Sequence, residues 1–69
     1  MDACTTIRCS MSAVRINTIP DLSRRTGIKR ATMYNRMKNI GSMTLRELQE
    51  IARVTHMSTE QIAEVVLNA

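Results

Sequence analysis

The chain has no tryptophan and no phenylalanine, and it carries one tyrosine, one proline and two glycines. Its apolar volume comes instead from six methionines and from isoleucine, leucine and valine. That palette suits aliphatic helices better than a β-sandwich, which draws on aromatic and β-branched runs. No apolar stretch approaches the roughly 20 residues needed to span a bilayer, and the N-terminus lacks the charged-then-apolar layout of a secretory leader. A cytosolic protein without membrane contact is expected. Cys4 and Cys9 form an isolated C-x4-C pair with no second pair, and the one histidine, His56, lies far along the chain. A zinc site therefore lacks ligands, and free thiols are the expectation. One histidine and scattered acids do not assemble a nucleophile, a base and an orienting group, so no enzyme, metal or cofactor is expected.

Sixty-nine residues predict one domain, 1–69, with a thin core, because a chain of this length buries only about 60% of its unfolded surface. There is no internal repeat, low-complexity tract or dividing linker. The formal charge is +4, and its distribution is more informative than its size. Between Leu22 and Arg46 stand seven bases, Arg24, Arg25, Lys29, Arg30, Arg36, Lys38 and Arg46, and no acid. From Glu47 onward stand four acids, Glu47, Glu50, Glu60 and Glu64, against one base, Arg53. A cationic middle is the footprint of a polyanionic partner, since neutralising phosphates releases condensed counterions. The alternative reading of charge alone is a solvated face that serves solubility.

The clearest helix boundaries lie in the second half. Thr44 followed by Glu47, and Ser58 followed by Gln61, both spell a capping box, with Met43 and Leu48, then Met57 and Ile62, spaced as hydrophobic staples. These predict supporting helices over Leu45–Thr55 and Thr59–Leu67, the first burying Leu45, Leu48, Ile51, Ala52 and Thr55, the second Ile62 and Val66. Upstream, Thr18 caps a helix that holds Pro20 in its first turn and Leu22 as its main apolar contact, and that stops at Gly27. A further helix runs from about Lys29 to Asn39, with Met33, Met37 and Ile40 inward as core and Gly41 ending it. Ile7, Met11 and Val14 suggest a first helix from about Thr5 to Arg15. The fold class is all-α, a compact bundle of about five short helices.

Two short helices joined through a glycine, the second basic and lightly apolar, form the geometry that presents a helix to DNA. The run LSRRTGIKRATMYNRMKN, with SMTLRELQEIARV and MSTEQI after it, resembles the helix-turn-helix domains of the phage Cro and C-type repressor family, also called the Xre family. The most specific part is T-G-I, a basic helix, and then T-L-x-x-L-x-x-I-A. The resemblance covers about residues 18–66, with the motif at about 18–38, and implies a lambda repressor-like fold. It further implies that the second helix of the motif enters the major groove of double-stranded DNA, with Lys29, Arg30, Ala31 and Asn35 at the base-reading positions. The helical wheel agrees: with Met33 and Met37 inward, Ala31 and Asn35 project outward.

The chemistry fits these assignments. Arg30 can pair bidentately with guanine, Lys29 can donate to the same edge, Asn35 suits adenine, and the methyl of Ala31 or Thr32 can meet that of thymine. Arg24, Arg25, Tyr34, Arg36 and Lys38 are expected on phosphates, which position without reading sequence. Four departures from the family pattern stand out. Ser23 replaces the alanine usual where the two helices cross, Ile19 stands where many members carry glutamine, Lys29 replaces a Ser or Thr cap, and Arg36 occupies an often-buried aliphatic position, with Met37 taking over its packing.

These readings support a sequence-specific transcriptional regulator of phage or mobile-element type, acting in the cytosol of a prokaryotic or phage-infected cell. It is expected to bind a palindromic operator as a homodimer paired through the last helix, where Val65 and Leu67 are exposed, and to need no small-molecule effector. Because no effector or oligomerisation domain fits in 69 residues, the compact Cro type is the nearer resemblance, although the corresponding part of a longer repressor would read the same. The rival reading is a protein-interaction module, partner to an antirepressor or toxin, that uses the same scaffold with little DNA contact.

Overall fold

Short-range polar signals set most of the helix ends. In the computed structural model, which describes residues 1–69, five α-helices form: α1 (Ala3–Ala13), α2 (Ile19–Thr26), α3 (Arg30–Lys38), α4 (Leu45–Thr55) and α5 (Thr59–Leu67). A 3₁₀ turn, Ile40–Ser42, separates α3 from α4. Thr18 caps α2 by accepting from the Asp21 N–H at 3.2 Å, with Pro20 in the first turn. Both capping boxes close: Thr44 Oγ1 accepts from the Glu47 N–H at 3.1 Å and Ser58 Oγ from the Gln61 N–H at 3.1 Å. In return, the Thr44 and Ser58 N–H groups donate to Glu47 Oε1 at 2.8 Å and Gln61 Oε1 at 2.9 Å.

The first helix is displaced from the expected Thr5–Arg15 and begins two residues earlier. Asp2 caps it by accepting from the Thr5 N–H at 2.8 Å. It also ends earlier, because Arg15 takes a left-handed conformation (φ 61°) and closes the helix as a glycine normally does. The Ile16 N–H reaches back to the Met11 carbonyl at 2.9 Å and the Arg15 N–H to the Ser12 carbonyl at 3.0 Å. The turn thereby drops Ile16 into the core, where it is fully buried. Gly41 does not end α3 as expected. The chain departs at Asn39, and Gly41 lies inside the 3₁₀ turn without a positive φ. Ile40 accordingly sits in that turn, half-buried, and not on α3.

Ile7, Leu22, Met33, Ile51 and Val65, one from each helix, meet in one core with Ile16. Helix α1 packs on α5 and α4, while α2 lies between α3 and α4. Two expected core positions are corrected by this packing. Leu45, at the very start of α4, is 72% exposed, and Val66 is 54% exposed, whereas its neighbour Val65, expected outside beside Leu67, is instead buried against the bundle. Thr6, Ser10 and Thr55 are buried with their hydroxyls donating to carbonyls one turn back, at 3.2, 3.1 and 2.7 Å. Ser23 is the exception, a buried hydroxyl without a partner.

Candidate nucleic-acid interface

The motif is built around Gly27, whose φ of 78° only glycine adopts without strain. Its N–H donates to the Ser23 carbonyl at 2.9 Å and closes α2. An added Cβ would meet nothing within 4 Å, so conformation, not space, demands glycine here. Thr26 reinforces the exit, donating its hydroxyl to the Leu22 carbonyl at 2.9 Å and accepting from the Ile28 N–H at 3.3 Å. Two residues later α3 begins on Lys29, whose side chain makes no capping hydrogen bond. A cation faces the positive end of the helix dipole there, an arrangement that an approaching anion relieves.

Met33 and Met37 anchor the inner side of α3. The outer side carries Ala31, Tyr34, Asn35 and Lys38, all exposed and spaced to form one stripe, with exposed Lys29 and Arg30 at its leading end. Thr32 is half-buried at the edge of the stripe. On α2, Arg24 and Arg25 share the carboxylate of Asp21, Arg24 through Nη2 and Arg25 through Nε at 3.4 Å. The Arg24 hydrogen bond, above all, holds the Asp21 carboxyl below its ordinary range. Both guanidiniums remain well exposed.

Arg36, expected on phosphate, also has a partner within the protein. Its Nε donates to Glu47 Oε1 at 2.8 Å, and both side chains are largely covered, at 28% and 15% exposure. The Glu47 carboxyl is held below its ordinary range: burial opposes this, and the bonds from the Thr44 N–H and Arg36 outweigh it. In sequence Glu47 reads as a capping residue alone, since nothing in a local pattern links it to a residue on another helix.

A second feature missed in sequence is a shallow cleft of about 760 Å³ between the α1–α2 turn, α2 and the start of α3. Arg15, Arg24 and Arg30 border it, with Asp21 as its one acid and Ser23 among its lining residues. The left-handed turn at Arg15 brings that residue to the α3 side of the molecule, and no sequence signal marks such a turn when glycine is absent. No three acidic, cysteine or histidine side chains gather as metal ligands, and no helix is long and apolar enough to cross a membrane.

A family model for the Cro/C1-type HTH DNA-binding domain matches residues 6–67. The chain belongs to that family. The match starts inside α1 and closes at the last residue of α5, so the Cro/C1-type domain takes in all five helices and not the motif alone. DNA is thus the partner of this domain, in a family of DNA-binding regulators. Among curated proteins and among solved structures no match is found.

Proposed function

We propose that this Cro/C1-type domain is a sequence-specific regulator of phage or mobile-element type that lays α3 in the major groove of an operator. The observation carrying this reading is the outer face of α3: bases and an amide on an exposed stripe, with no acid, backed by two buried methionines. Lys29, Arg30, Ala31, Thr32 and Asn35 read base edges. Arg24, Arg25, Tyr34 and Lys38 hold phosphates, and Arg36 is left to its bond with Glu47. Two copies bind a palindromic operator with their recognition helices about 34 Å apart, one turn of DNA. They pair through the apolar groove of Met43, Leu45, Leu48 and Val66, flanked by Leu67, which is 81% exposed.

Selection of sites from a random duplex pool, followed by salt titration, tests the proposal. A palindromic consensus and a steep logarithmic loss of affinity with salt are expected, and no binding to any duplex at low salt would sink it. Asn35→Ala should cost about 1–3 kcal/mol of affinity and relax preference at one base pair. Lys38→Ala should weaken all duplexes alike and reduce the salt slope by about 1.

A further inference from the structure

We propose that Glu47 is a positioning residue for base reading: through Arg36 it fixes the roll of α3 about its own axis. The inference rests on α3 being the reading helix. Helix α3 packs on α2 and the 3₁₀ turn, whereas α4 packs chiefly on α1 and α2. The buried anchors of α3 are two methionines, Met33 and Met37, flexible side chains whose contacts carry little direction. Its N-terminus has no side-chain cap. The Arg36–Glu47 bond is directional, and it is the one ion pair that joins two helices. The others lie within α2 or α4 or tie the terminal amine to Glu64.

The two capping boxes supply an internal control. Gln61 closes the second box with an amide oxygen at nearly the distance that Glu47 uses in the first, 2.9 against 2.8 Å. Capping therefore needs only an acceptor, so the charge at Glu47, favourable in any first helical turn, is available for a second purpose. That purpose is Arg36, which donates to the same Oε1 that caps Thr44. Asn35 is the immediate neighbour of Arg36, so the roll set by Glu47 is the roll at which Asn35 meets the groove. Recognition tolerates only about 10–20° of misorientation. Groups about 5 Å from a helix axis move by about 0.9–1.7 Å over such a roll.

The test compares Glu47→Gln, Arg36→Gln and the double variant for affinity to the selected site and to a scrambled duplex, alongside melting temperature and salt slope. Glu47→Gln keeps the box, so it should melt within a few degrees of wild type and keep its salt slope. The ratio of selected to scrambled affinity should fall about tenfold, the scale of one misplaced base contact. Arg36→Gln, which leaves the box untouched, should show the same loss, the double variant should lose no more than either, and Arg36→Lys should recover part. If wild type discriminates and both single variants do so within about twofold of it, the positioning role falls while α3 remains the reader. If wild type does not discriminate at all, both readings fall together.

Discussion

Helices α4 and α5 each begin on a reciprocal capping box, whereas α3 begins on a lysine with no side-chain cap. The two supporting helices satisfy first-turn N–H groups internally, and so does α2 through Thr18, whereas α3, the helix proposed to read DNA, leaves its own open. The contrast separates where this small fold keeps its stability from where, on the proposed reading, it gives stability up to a ligand.

Four changes can break or sharpen that contrast. The largest is Ile51→Ala: Ile51 is fully buried in α4, and a cavity there should cost about 2–5 kcal/mol in a urea melt, enough to threaten the fold. Next come the caps taken as a pair. Thr44→Ala should destabilise by about 1 kcal/mol, while Lys29→Ser should stabilise the free protein by a similar amount and weaken DNA binding. Equal signs in the two melts would abolish the distinction between α3 and the supporting helices. Ser23→Ala, in α2, removes a buried hydroxyl without a partner. It should raise stability by up to about 1 kcal/mol, and a loss on melting would show that the hydroxyl has found an acceptor.

The pH dependence is the mildest test. The carboxyls of Asp2, Asp21 and Glu47 are all held below their ordinary values of 3.8, 3.8 and 4.5. Lowered folded-state values add stability that is present above those ordinary values and lost as pH falls through the lower folded ones. Thermal melts should therefore stay level through neutral pH and drop from about pH 5 downward, with Glu47→Gln flattening part of the drop.

Much of this architecture was legible because its signals are local. Capping boxes, Pro20 and Gly27 place α2, α4 and α5 almost to the residue, and the outward stripe of α3 follows from the inward Met33 and Met37. What escaped depended on tertiary partners. Val65 and Val66 both lie near the face marked by Ile62, and only the packing of α1 against α5 selects Val65. Leu45 fits the period of α4, but at the first helical position it projects past the core. Asp2 as a cap and Arg15 as a left-handed terminator carry no apolar period at all. Arg36 reads as a free base until α4 brings Glu47 to it.

The open start of α3 also gives the molecule a clock. A first-turn N–H with no internal acceptor trades its proton with solvent quickly, while amides in the middle of α4 wait for larger openings. On the proposed docking a phosphate oxygen closes the Lys29 end, and the amides of Arg30 to Thr32 should then pass from the fast class to the slow one. Deuterium uptake at those three positions then reports occupancy of the groove, residue by residue, without a label on protein or DNA.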